Sequence, residues 1–165
     1  MRIEDQPSVD VETRVEAAPD TVWQLVCDLP RMGEWSPENQ GGEWLDGARG
    51  PALGARFRGC NRHPAIGEWE SVAVVDQLEP GRVLGWVVGD PATPAARWRF
   101  EVVPDGDGCV LRQHFQFGLG PSGLTAAIER MPDKEERIVA RRLEEHTANM
   151  EMTIAGIKRA AEGRG

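Results

Sequence analysis

Residues 133–162 read DKEERIVARRLEEHTANMEMTIAGIKRAAE, a stretch without proline and with one glycine, Gly156. Asp133 followed three residues later by Glu136 resembles a capping box, in which two side chains satisfy backbone N–H groups left over at a helix start. Val139, Leu143, Met150, Ile154 and Ile157 fall on one helical stripe, with His146 and Thr147 in its gap. The spacing predicts one helix, and at 1.5 Å per residue it is about 45 Å long, enough to cross a whole sheet. The charged run from Asp133 to Glu145 reads as its solvated face, with Glu and Arg four residues apart lending modest support.

Working outward, Leu124 to Met131 predicts a brief helix stopped by Pro132. Before it, from Glu43 to Phe117, the apolar period changes to two. Candidate strands are 42–45, 55–63, 67–77, 83–89, 96–103 and 109–117. Turn chemistry separates them at Asp46-Gly47, Pro64, Glu79-Pro80-Gly81, Asp90-Pro91 and Asp105 to Gly108. At the N-terminal end Val9, Val11, Thr13 and Val15 alternate as in a strand. Ala18-Pro19-Asp20 then opens a short helix whose apolar face runs Val22, Trp23, Leu25, Val26 and Leu29, and Pro30 ends it. Consecutive strands with short connections make an antiparallel meander. The expected architecture is α+β: a curved seven-stranded antiparallel sheet wrapped around a long C-terminal helix, with short helices after the first strand. All of residues 1–165 form one domain in this reading. A bent sheet closed by one straight helix leaves space over its middle, so a cavity is expected.

Composition bounds the function. The 165 residues carry 19 basic and 27 acidic side chains, a net charge of −8, which repels phosphate backbones and anionic lipid. Neither nucleic acid nor a membrane is an expected partner, and no apolar run approaches the roughly 20 residues of a membrane helix. Cys27, Cys60 and Cys109 are odd in number and widely spaced, so no disulfide framework is expected and a reducing cytoplasm fits. The expectation is a soluble, unprocessed protein, monomeric or homodimeric.

Strand alternation assigns faces. Arg56, Arg58 and Arg62 share the outer face of their strand, leaving Phe57, Gly59, Asn61 and His63 inward. Trp69, Ser71, Ala73 and Val75 follow, then Leu84, Trp86 and Val88, then Trp98, Phe100 and Val102. Leu111, Gln113, Phe115 and Phe117 complete the inner surface. Aromatic faces with a few isolated polar groups are the usual lining of a small-molecule pocket. Expected ligand contacts are Phe57, Trp69, Trp86, Trp98, Phe100, Gln113 and Phe115 from the sheet, and Leu143 and Met150 from the helix.

Five segments carry a resemblance. Ala18 to Trp23, Met32-Gly33-Glu34-Trp35-Ser36-Pro37-Glu38, Gly54 to Gly59, Glu79-Pro80-Gly81-Arg82, and Thr93 to Phe100 with its Arg97-Trp98-Arg99 core resemble the polyketide cyclase/dehydrase branch of the START-like superfamily. This is the SRPBCC helix-grip fold shared with the birch pollen allergen. The resemblance spans about Ser8 to Ala160 in order. It implies a hydrophobic cavity between sheet and long helix, used in the family by aromatase/cyclases, lipid carriers and hormone receptors. It also implies that Trp35, in a stretch that walls the family's pocket, contacts ligand. The family's cyclases use inward Tyr and Arg residues; this chain has no tyrosine, and its strand arginines are predicted outward.

For chemistry, His63, Asn61 and His146 are the candidate catalytic residues. Imidazole suits proton transfer near neutral pH and an amide can donate to an enolate oxygen. The same positions also fit inert roles, His63 at a strand end before Pro64 and His146 as a half-buried helix residue. Scattered histidines at 63, 114 and 146 make no metal-ligand pair, and neither a Walker nor a dinucleotide glycine motif follows a strand. No metal or cofactor is expected. The reading is a hydrophobic ligand in the cavity, with either cyclase/dehydratase-type catalysis in secondary metabolism or non-catalytic carriage or sensing.

Overall fold

In the computed structural model, which describes residues 1–163, seven antiparallel strands form one open sheet in the order β1-β7-β6-β5-β4-β3-β2. The strands are β1 (Ser8–Val15), β2 (Asn39–Trp44), β3 (Arg56–His63), β4 (Gly67–Glu79), β5 (Val83–Val88), β6 (Ala96–Asp105) and β7 (Gly108–Phe117). Helices α1 (Pro19–Cys27) and α2 (Gly123–Arg130) are short, and α3 (Glu135–Ala161) is 27 residues long. This is the expected helix-grip arrangement. The last two residues of the domain reading, 164 and 165, lie outside the described residues. No helix among the described residues is long and apolar enough to cross a membrane.

Two irregularities bend the sheet. β4 shifts register against β5 between Val75 and Gln77, where the extra residue of a bulge reverses the alternation, so that Val75 is buried and Leu78 also packs on the core. β2 shifts against β3 between Asn39 and Gly42. Gly41 there has φ +89°, and a Cβ on it would stand 2.3 Å from the Pro30 carbonyl oxygen. Only glycine meets both demands.

The segment around Pro30 differs from expectation. α1 stops at Cys27, but Pro30 does not end helical structure: residues Leu29–Glu34 form a 3-10 helix, because proline is tolerated in a first turn where its N–H has no partner anyway. Leu29 and Met32 from this turn are buried in the core. The start of α3 differs too. Pro132–Lys134 makes its own 3-10 turn, so Asp133 lies too early to cap, and Lys134, at the N-cap position, makes no side-chain capping bond. The first turn of α3 is held by the N-terminal segment instead: Arg2 pairs with buried Glu135 at 2.7 Å, and the Ile3 N–H donates to Glu135 at 3.0 Å.

The core lies between the concave face and α3. Val15, Leu84, Phe100, Val102, Leu111 and Phe115 from the sheet meet Val139, Met150 and Ile157 from α3, with Val22 and Val26 from α1. Fully burying one such side chain contributes roughly 1.5 to 3 kcal/mol. The strand arginines 56, 58 and 62 lie on the outer face, paired with Asp46, Glu43 and Glu68.

Candidate functional site

Between the sheet and the middle of α3 the side chains do not fill the space, and two adjoining chambers remain. The inner one, about 110 Å³, is walled by Trp86, Trp98, Phe100, Phe57 and Met150, with Asn61, Ser71, Gln113, His146, Asn149 and Thr153 among its polar groups. The outer one, about 440 Å³, is bounded by Trp69, Trp98, Phe115, Phe117, Leu124 and Ile66, with Arg142 from α3. Glu38, Asn61, Ser71, Val88, Trp98 and His146 border both, so they stand between the two.

His146 is fixed by aromatic packing. Its ring lies 4.2 Å from Phe115 and 5.3 Å from Trp98, centre to centre, and Trp98 in turn lies 4.6 Å from Phe115. Burial is the main force on its protonation, helped by the positive charge of Arg142 and then by His63, and its pKa is pushed down to about 3. The imidazole is therefore neutral at physiological pH, able to donate or accept a hydrogen bond but weakly basic. Gln113 is 5% exposed, and its Oε1 has no hydrogen-bond partner among the described residues. Asn61 is better satisfied, its Nδ2 donating to Ser71 Oγ at 3.3 Å.

An ionic network built on Arg142 of α3 reaches Glu38, one of these shared residues. Arg142 donates both Nη groups to Glu38, with Nη1 3.0 Å from Oε2, and the same Nη1 lies 3.0 Å from Glu145. Asn149 Nδ2 donates to Glu38 at 3.0 Å. The Arg142 and Glu38 side chains are only 11% and 12% exposed. Burial works against the Arg142 charge, and the bonds to Glu38 and Glu145 outweigh it, raising its pKa. Burial likewise works to raise Glu145, but Arg142 and then His63 hold its carboxyl below the usual range.

The sequence-predicted residues distribute as follows. Phe57, Asn61, Trp86, Trp98, Phe100, Gln113, His146 and Met150 line the inner chamber, and Trp69 and Phe115 line the outer one. His63 lines neither: its Nε2 is 3.1 Å from Glu145 and its Nδ1 accepts from the Ala65 N–H. Leu143 packs on the core beside the cavity. Trp35 lies against Gly156 of α3, 2.8 Å from where a Cβ would stand, with Arg31 stacked 5.3 Å from its ring centre. It anchors the connection bearing Ser36, Glu38 and Asn39, which do border the inner chamber.

Sequence reading missed Arg142, Glu38, Asn149 and Thr153. The signal for three of them was present, since Arg142, His146, Asn149 and Thr153 recur at spacings of four, three and four and share a helix face. No group of three or more His, Cys, Asp or Glu side chains converges as a metal site among the described residues. Burial raises the Cys27 thiol to about 12, and it is inert as a nucleophile.

Comparison with known proteins agrees with this geometry. Residues 6–153 match the family model described as polyketide cyclase/dehydrase and lipid transport. The polyketide cyclase-like protein Cgl2372 from Corynebacterium glutamicum is 33% identical, with a TM-score of 0.65 over 94% of this chain and 91% of that one. The di-domain ARO/CYC protein StfQ of the steffimycin biosynthetic pathway shares the fold at 18% identity and TM-score 0.71, over 95% of this chain and 51% of its own. Ara h 8.0201 shares it at 13% identity and TM-score 0.55, over 95% of each chain. No curated protein matches the sequence. By the reach of the family match and the relative at one-third identity, the chain belongs to the polyketide cyclase/dehydrase and lipid transport family.

Proposed function

We propose that this protein binds a largely apolar small molecule in the space between its sheet and α3. The observation that carries the reading is the pair of adjoining chambers, about 110 and 440 Å³, walled by aromatic rings that leave space unfilled between sheet and helix. The outer chamber alone falls within the roughly 300 to 1,000 Å³ usual for ligand pockets. Titration with the neutral fluorophore N-phenyl-1-naphthylamine tests it: saturable enhancement is expected, weakened by Trp86→Ala. No enhancement, or equal affinity of wild type and variant, counts against the cavity as the binding site.

A second reading, catalysis of the cyclase/dehydratase type, is favoured by Asn61, Gln113 and His146 all bordering the inner chamber. There the neutral His146 and the Asn61 amide would hydrogen-bond carbonyl oxygens of a flexible chain held folded in the cavity, and that positioning would supply much of the rate. Because His146 is weakly basic, it serves as a hydrogen-bonding group rather than a strong base. His63, bonded at both ring nitrogens outside the lining, has no part in this step. Incubation with a flexible poly-β-ketone thioester, followed by mass spectrometry for loss of water, separates the two uses: protein-dependent dehydration supports catalysis, and binding without turnover supports carriage.

A further inference from the structure

Charge is scarce around the two chambers. Among the described residues the charged side chains that border them are Glu38, on both, and Arg142, on the outer one; His146 is held neutral by burial. A ligand with an acid head gives up its hydration on entering such a space and needs a cation in return. Arg142 is the side chain placed to supply one.

Arg142 is already engaged. Its two Nη groups grip both oxygens of Glu38, with Nη1 3.0 Å from Oε2, and the same Nη1 lies 3.0 Å from Glu145. The planar fork of a guanidinium fits one carboxylate edge to edge, so Glu38 occupies the face that an acid head would use. Glu38 is held there from both sides. Its carbonyl accepts the Arg62 N–H of β3 at 2.9 Å, and Asn149 Nδ2 donates to its carboxylate at 3.0 Å. Glu145 stays ionised, since the bond to Arg142 outweighs burial. Two carboxylates on one guanidinium leave an excess of negative charge. Arg141 reaches Glu145 at 3.5 Å from a well exposed position, where water screens it, and His63, 3.1 Å from Glu145, borders neither chamber. An entering carboxylate would therefore have to displace Glu38 and leave it buried without its cation.

Resting on the cavity reading above, we infer that the site takes uncharged ligands and rejects those with a carboxylate head, and that Glu38 sets this preference by occupying Arg142. Glu38 is a positioning residue: its effect reaches the ligand through the guanidinium it covers. Without it, the same cavity becomes a site for acids.

Displacement of N-phenyl-1-naphthylamine from the intact chain at about pH 8, where a carboxylic acid is ionised, compares 1-decanol with decanoate. Wild type should bind 1-decanol at least tenfold more tightly. Any apolar cavity disfavours a carboxylate, so Glu38→Gln is decisive: decanoate should gain about tenfold, the worth of one hydrogen bond to a charged group, with 1-decanol unchanged. A merely structural role for Glu38 would move both competitors alike. Adding Arg142→Gln to that variant should remove the gain. Glu145→Gln, which lowers the same negative charge, should give a smaller gain of about threefold and carries the test if Glu38→Gln does not fold. Equal binding of decanoate and 1-decanol by wild type, an unchanged preference in the folded variants, or a gain that survives the loss of Arg142 overturns the inference while leaving the cavity reading intact. Failure of the fluorophore to bind wild type overturns the cavity reading and this inference with it.

Discussion

Two stretches of α3, adjacent in sequence, do different work. From Ile154 to Ala161 the helix packs: Ile154 and Ile157 are buried, Gly156 receives the Trp35 ring, and Lys158 donates to the Arg14 carbonyl at 2.6 Å. From Arg142 to Thr153 the same helix stands over the chambers and presents Arg142, His146, Asn149 and Thr153. Helix propensity does not separate the two, since both are continuous α-helix. What separates them is the sheet beneath: β1 and α1 rise to meet the C-terminal stretch, while bulges in β2 and β4 accompany a hollow under the other. Polar side chains survive over the hollow because each is paired or faces space that a ligand can fill.

Breaking the polar stretch should have the largest effect. Arg142→Ala leaves Glu38 buried without its cation and should cost about 3 kcal/mol, the lower end for removing one partner of a buried pair. Urea unfolding measures it, and adding Glu38→Gln should recover much of the loss. Recovery fails if the arginine acts through its apolar stem alone.

Acid should strike the same stretch. With His146 held near 3 in the folded state against 6.5 when exposed, the unfolded chain takes a proton that the folded one refuses. Stability is complete above about pH 6.5 and falls as pH drops towards 3, with a slope from this group of about 1.4 kcal/mol per pH unit. His146→Phe should lessen the slope between pH 6 and 4. An unchanged slope would assign acid sensitivity to the carboxylates.

The packed stretch gives a smaller effect that reverses sign. Gly156→Ala places a Cβ 2.8 Å from Trp35 Cδ1; overpacking costs about 1 to 3 kcal/mol and helix propensity returns nearly 1, a net loss of about 1. In a Trp35→Ala background the same substitution should stabilise, by nearly 1 kcal/mol. Thermal unfolding of the four proteins distinguishes anchoring by Trp35 from simple helix propensity.

Strand phase was legible because one face of each strand is buried and the other solvated: Phe57 and Asn61 separate from Arg58 and Arg62 by parity alone. Helix phase was legible only in part. Leu143 and Ile154 drew the stripe to one shoulder, while the inward face is centred nearer His146 and includes Arg142 on its other shoulder. A buried arginine cannot be told from a surface one until its partner is known, and Glu38 lies 104 residues away in sequence. Pro30 misled for a local reason, since a proline that closes one helix can equally open a 3-10 turn.

The order of elements, the antiparallel meander, the long closing helix and the inward aromatics are consequences of period and turn chemistry, which are local and therefore readable from the chain itself. Pairing of Arg142 with Glu38, withdrawal of His63 to Glu145 and the solitary Gln113 acceptor depend on how far a bent sheet stands from a straight helix. That gap is a sum of bulges, twist and side-chain volumes over the whole molecule, and no single stretch of residues encodes it.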